Sequence, residues 1–274
     1  MKLLGLILLI ALMFVEQSIE QQGVVHPPWV YVDNSGVCPK YYYSARHVLQ
    51  NCSSLNLAQN WTVLSLDMYF VTDLLLQNNN FRLNLPYREI NKYDSLALLD
   101  LSRNYINEFT YDLQMIDCSI NCIRELILNN NWFSKIPTLS QTCLGTLYTL
   151  RMSNNKNLTN LDDPTGYGGS RVTPCLKTLD VSYCNIETLN FNNYTILSKF
   201  PSLTYLNLIG NRIKNIYQNP FIYTPNLRYL SFERNLIGCD TTNMWLKYYF
   251  LSKINSNNPN ATILEIDADG TMLK

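Results

Sequence analysis

Residues 203–217, LTYLNLIGNRIKNIY, carry the pattern that decides the architecture. Leu203, Leu206 and Leu208 precede Asn211, and Ile213 and Ile216 follow it, giving L-x-x-L-x-L-x-x-N-x-I-x-x-I. In an extended segment alternate side chains point to opposite faces. Leu206 and Leu208 therefore share one face, and Tyr205, Asn207 and Ile209 share the other. The first face suits a core; the second is open to water. The unit recurs, by its first apolar residue, at Val71, Leu96, Ile123, Leu147, Leu176, Leu203 and Leu227, with separations of 25, 27, 24, 29, 27 and 24 residues. An amphipathic helix also places leucines on one face. The fixed period, and the asparagine or cysteine that follows each copy, argue against a helix and for stacked coils.

These copies resemble the repeats of extracellular leucine-rich-repeat proteins, a likeness that spans residues 71–238. The resemblance implies an α/β-type solenoid with a curved parallel sheet on its concave face. The convex side would be mostly irregular or short helical, and both ends would be capped. It also implies that the stacked asparagines pair with the backbone of neighbouring coils, and that Cys184, at the asparagine position of the fifth copy, is a buried free thiol. The domain reading is then residues 1–20 as a signal peptide, 21–70 as an N-terminal cap, 71–238 as about seven repeats and 239–274 as a C-terminal cap.

The leader reading rests on Lys2 followed by the apolar run at residues 3–15 and a polar turn at Glu16. That is the layout of a signal peptide, too short for a membrane span. After it no window of 18 uninterrupted apolar residues occurs, so the expectation is a secreted, extracellular protein that keeps no hold on a membrane once the leader is cleaved. Asn-x-Ser/Thr acceptors at Asn51, Asn60, Asn157, Asn193 and Asn260 agree with secretion, as do eight cysteines in a setting that permits disulfides.

Cys38 and Cys52 stand apart from the other cysteines, which makes a bridge between them the simplest pairing. Cysteine-flanked N-caps of the resembled family usually carry four cysteines, and this cap has two. Cys118 lies five residues before Ile123 and Cys143 four before Leu147, which puts them on neighbouring coils. Parallel strands lie about 4.8 Å apart and a disulfide spans Cα separations up to about 7 Å, so this pair is also expected to bond. Cys122 and Cys175 are two coils apart, roughly 10 Å on the same spacing, and should not. Residues 60–67 read as a degenerate first strand. At the far end, Thr241 stands where the family's cap has a cysteine, so Trp245, Tyr248, Phe250 and Leu251 are expected to hold that cap, with residues 261–267 as a closing strand.

With 47% hydrophobic and 15% charged residues the chain is neither disordered nor fibrous. Its net charge of +0 supplies no basic field for nucleic acid. The only histidines are His26 and His47, and no metalloprotease, zinc or nucleophile-elbow spacing occurs. Asp162 and Asp163 read as a solvated turn, and the glycine-rich residues 166–170 lack the lysine of a phosphate loop. The reading is of a protein that is not an enzyme, with no catalytic residues, metal or cofactor.

What remains is recognition by the face opposite the leucines. The outward positions include Asp100, Ser102 and Ser182, and the C-terminal half gathers Tyr148, Arg151, Tyr183, Tyr205, Arg228 and Tyr229. Tyrosine and arginine are enriched at binding hot spots. The resemblance, which extends to Toll-type receptor ectodomains and to secreted leucine-rich-repeat immune or venom proteins of invertebrates, implies a module that binds an extracellular protein or glycan ligand. Innate-immune recognition and a soluble decoy of a Toll-type receptor are its expected roles; a structural matrix or adhesion protein and an enzyme-inhibitor module are the alternatives. Peptide mapping under non-reducing conditions should recover Cys38 with Cys52 and Cys118 with Cys143; a bridge to Cys184 would contradict its ladder position.

Overall fold

The computed structural model describes residues 29–32, 39–43, 46–49, 72–82, 95–108, 123–137, 146–161, 173–189, 196–216, 220–238, 245–246, 248 and 265–267. Each of the seven copies contributes one short strand: β4 (Asp73–Leu75), β5 (Leu98–Asp100), β6 (Glu125–Ile127), β7 (Thr149–Arg151), β8 (Thr178–Asp180), β10 (Tyr205–Asn207) and β12 (Tyr229–Ser231). They pair in parallel, in sequence order, with equivalent residues opposite one another: Leu206 faces Leu179 on one side and Leu230 on the other. The protein is a leucine-rich-repeat solenoid.

The sheet extends beyond the repeats. At its N-terminal end β1 (Trp29–Val32), β2 (Pro39–Tyr43) and β3 (Arg46–Leu49) form an antiparallel meander, and β3 then lies parallel to β4. Thus Arg46–Leu49, not residues 60–67, occupies the place beside the first repeat strand; residues 60–67 lie outside the described chain. At the other end β13 (Glu265–Asp267) pairs with β12, within the segment expected to close the sheet. Two further short strands, β9 (Thr188–Leu189) and β11 (Asn215–Ile216), pair with each other in a separate sheet, and 3-10 turns occupy Ile196–Lys199 and Pro220–Tyr223.

Each repeat strand is three residues long, shorter than the L-x-x-L-x-L stretch that contains it. Three residues past each strand the chain turns. Arg103, Asn130, Asn154, Tyr183, Gly210 and Arg234, each one residue before the asparagine position, have φ between 53° and 67°, as does Asn78 before Asn79. This left-handed conformation bends the chain out of the strand direction in every copy. Inter-coil bonds nevertheless persist to the bend, as in Leu76 N to Asp100 O at 2.8 Å and Asn78 N to Ser102 O at 3.1 Å. At Gly210 the conformation is coupled to packing: a Cβ there would lie 2.5 Å from the Tyr183 ring, which lies over the glycine.

Behind the sheet the leucine positions form a continuous core, with Leu74, Leu99, Leu179, Leu206 and Leu230 fully buried. Aromatic rings share this core, Phe81, Phe133, Phe221 and Phe232 among them. At the C-terminal end Leu246 is buried and Trp245 packs on the core, its indole N–H donating to Ile216 O at 2.8 Å. Tyr248, expected to share that role, is 64% exposed. It lies two residues beyond Leu246, turned away from the face that Trp245 and Leu246 bury. Phe250 and Leu251 lie outside the described residues, as do residues 1–20, read above as a leader, and Cys38, Cys52, Cys118, Cys122, Cys143 and Cys239.

The asparagines tie the coils together. Asn211 donates Nδ2 to Leu208 O in its own coil and to Val181 O in the preceding one, both at 2.9 Å, while its Oδ1 accepts Ile186 N–H at 3.0 Å. Asn104, Asn131, Asn155 and Asn235 repeat this bridge. Cys184 performs only half of it. Its thiol lies 3.4 Å from Met152 O and 3.6 Å from Ser182 O, contacts made as a donor, and it offers no amide oxygen to the coil before. The fourth copy compensates. It is one residue longer before its next apolar position, and Leu158 N–H is satisfied within its own turn by Asn155 O at 3.1 Å.

Leu206→Ala should cost about 2–5 kcal/mol from the lost burial and the cavity. Asn211→Cys should retain a donor yet strand Ile186 N–H, at about 1–3 kcal/mol, measured by denaturant unfolding. Burial pushes the Cys184 thiol up to about 11, and the backbone of Asn155 and Asn154 and the Lys156 charge offset it only in part. Its folded pKa thus exceeds its unfolded value, so the folded state holds the proton where the unfolded state releases it, and stability is lost as pH rises through that window. The difference in unfolding free energy between the native chain and Cys184→Ala should be constant below about pH 8 and shrink toward pH 11.

Candidate binding surface

The strands present two rows of side chains away from the core, and pairing register fixes which residues are neighbours. The first row runs Asp73, Leu98, Glu125, Thr149, Thr178, Tyr205 and Tyr229, and the second runs Leu75, Asp100, Ile127, Arg151, Asp180, Asn207 and Ser231. In the second row Asp100, Asp180 and Asn207 accept the N–H two residues on, at 2.8, 3.0 and 3.1 Å. These bonds fix the strand exit just before the left-handed residue. They also explain a departure from the expected outward set: Asp100, Ser102 and Ser182 are buried. Asp100 takes a further bond from Gln77 Nε2 at 2.7 Å, so its carboxylate is committed to the frame.

The six residues singled out for binding fall in four positions. Tyr205 and Tyr229 stand side by side on the first row, ring centroids 6.1 Å apart and tilted by 43°. Tyr229 is 45% exposed and Tyr205 half-buried. Arg228 precedes Tyr229 and is exposed. Tyr148 occupies the equivalent shoulder position three copies earlier, with the Lys177 ammonium 5.3 Å from its ring centre. Arg151 lies on the second row but its Nε is 2.9 Å from Glu125 Oε1, directed toward the N-terminal coils and away from the tyrosine pair. With Arg151 exposed and Glu125 partly so, that ion pair adds little stability. Tyr183 sits past the end of β8, on the left-handed bend, over Gly210.

A second surface escaped the sequence reading. The residue after each ladder asparagine points outward, and along this row lie Tyr105, Trp132 and Lys156, all exposed. Trp132 meets Tyr105 edge-on, centroids 5.0 Å apart at 75°, and the Arg82 guanidinium lies 6.0 Å from the Tyr105 ring centre. Beside Trp132 is a depression of about 500 Å³ lined by Asn130, Asn131, Trp132, Asn154, Lys156 and Asn157. The signal was present in the copies NYI and NWF, in which an aromatic follows the asparagine at the same phase. Of the five glycosylation acceptors, Asn157 is described and exposed; Asn51, Asn60, Asn193 and Asn260 lie outside the described residues.

Among the described residues no cluster of histidine, cysteine or carboxylate side chains is grouped as a metal site requires, and no helix is long and apolar enough to cross a membrane. Cys175 is a free thiol, partly buried.

No family model matches the chain, and no curated protein does. Among solved structures it is similar to TLR13, seen in a crystal structure of its complex with ssRNA13, at 22% identity and a TM-score of 0.49, over 64% of this chain and 23% of that one. It is also similar to the LRIM1 leucine-rich repeat domain, at 16% identity and a TM-score of 0.42, over 85% of this chain and 78% of that one. A third is the functional domain of InlJ from Listeria monocytogenes, which includes a cysteine ladder, at 18% identity and a TM-score of 0.38, over 65% and 38% of the two chains. The chain thus spans about a quarter of the first of these proteins.

Proposed function

We propose that this protein is a secreted binding module that captures an extracellular protein through the exposed face of its sheet. The observation that carries the reading is the Tyr205–Tyr229 pair. Two rings 6.1 Å apart, on a surface whose backbone is pinned on both sides by parallel pairing, offer a rigid amphipathic anchor at small conformational cost. Asn207 and Ser231 on the adjoining row and exposed Arg228 supply polar groups around it. The leader-like residues 1–20 and the glycan acceptors support an extracellular location. Within that setting the role is innate-immune recognition, or service as a soluble decoy that competes with a Toll-type receptor for the same ligand, as in a venom or effector protein.

Pull-down from extracellular fluid with the glycosylated protein should yield a saturable partner, and Tyr205→Ala with Tyr229→Ala should weaken it by more than about 2 kcal/mol, some thirtyfold. Undiminished capture by the double variant, with loss on deletion of residues 166–170, would move the site to that loop. Insoluble incorporation into matrix without a soluble partner would replace recognition by a structural role.

A further inference from the structure

The depression beside Trp132 is lined by an asparagine that is itself a glycan acceptor by sequence. Asn157 lines it and opens the acceptor sequence Asn157-Leu158-Thr159. This asparagine belongs to the lengthened turn of the fourth copy, whose Leu158 N–H bonds inside its own turn. Its Nδ2 donates one hydrogen to Trp132 O at 3.2 Å, across 25 residues. A primary amide nitrogen carries two hydrogens, so one can be replaced by a sugar carbon while the other keeps its bond to Trp132 O. The side chain is thus held in orientation before any sugar is attached.

The rest of the lining suits a pyranose. Trp132 is 51% exposed and braced from one edge by Tyr105, so its indole is an immobile apolar plate for the C–H face of a sugar ring, whose weakly positive hydrogens meet the negative π face. Asn154 Nδ2 donates to Asn130 Oδ1, which leaves Asn130 Nδ2 as a donor and Asn154 Oδ1 as an acceptor for hydroxyl or acetamido groups. Both amides sit on left-handed residues, φ 56° and 60°, whose backbone is fixed by bonds to the next coil. The volume, about 500 Å³, falls in the range of small-molecule sites.

We propose that Asn157 is N-glycosylated and that the first N-acetylglucosamine is seated in this depression against Trp132, so that the glycan is a packed part of the repeat flank. The inference rests on the secretory reading above. In the attachment step Nδ2 forms a bond to C1 of an oligosaccharide carried on a lipid pyrophosphate. The C1–O bond to the pyrophosphate breaks, the lipid pyrophosphate departs, and one amide proton is lost to a base.

The test uses the full chain secreted from a glycosylating eukaryotic cell. Glycopeptide mapping should show Asn157 occupied. Trimming with an endoglycosidase that leaves one N-acetylglucosamine should leave the melting temperature unchanged. Thr159→Ala, which removes the acceptor but keeps Asn157, should lower the melting temperature by about 2–4 °C and raise the quenching of Trp132 fluorescence by acrylamide, isolated by difference against Trp132→Phe. In a Trp132→Ala background Thr159→Ala should have no further effect on melting. Secreted protein glycosylated elsewhere but bare at Asn157 would overturn the proposal and leave secretion standing. A glycan present at Asn157 with melting and quenching indifferent to its loss would overturn the seating. A chain retained in the cell and unglycosylated would overturn the secretory reading and this inference with it.

Discussion

Each coil of this protein leaves its strand through a bend, and the backbone groups at that bend are buried where water cannot reach them. A buried donor or acceptor without a partner costs about 1–3 kcal/mol, so a repeated bend needs a repeated solution. The carboxamide of asparagine supplies it, with two donors and an acceptor on one short side chain. Asn104, Asn131, Asn155, Asn211 and Asn235 are all nearly inaccessible to solvent and all bridge two coils. Leucine burial drives the coils to stack, but it is non-directional; the asparagines determine the register in which they stack. The parallel alignment of every strand with its equivalent follows from that pairing.

The exception supports the rule. Cys184 fits the space and donates a weak bond, but it cannot accept, and the preceding coil meets the deficit with an added residue that lets Leu158 N–H bond locally. Sequence changes in two different copies are thereby explained together. The same added residue brings Asn157 up to the Trp132 carbonyl, so a structural repair in the frame creates the most distinctive feature of the flank.

The copies around Leu206 and Asn211 exposed the solenoid in the sequence because burial imposes a fixed phase, and leucines at every third and fifth place have no equally consistent helical account. Strand length was not legible in the same way. The left-handed residue before each asparagine turns the chain out of the strand direction, and it is Arg103, Asn130, Tyr183 or Gly210 in different copies; only the glycine and the asparagines advertise that conformation. The strand Arg46–Leu49 beside β4 contains no leucine phase matching the repeats, so residues 60–67 read as the degenerate first strand instead. The binding residues suffered from a different limit. Tyrosine and arginine content marked the C-terminal half, but row membership separates them: Tyr205 and Tyr229 meet, Arg151 is turned to Glu125, and Tyr183 covers Gly210 beyond the strand ends. Trp132 was missed because attention to strand alternation stops at the asparagine, one residue short of it.

A frame held this way leaves the outward rows free to vary. Tyr205, Thr178 and Thr149 can differ without disturbing the carboxamides behind them, which is why a binding surface can be composed on this sheet. The account therefore stands on the asparagine bridges, and amide hydrogen exchange tests them directly. The N–H groups of Phe81, Ile106, Phe133, Ile186 and Ile213, each donated to a side-chain oxygen of the next coil, should exchange as slowly as those of the strand residues Leu206 and Leu230, through the same cooperative opening. Exchange of these five amides at the rate of exposed turns, while the strand amides stay protected, would show that the coils are held by their leucines alone.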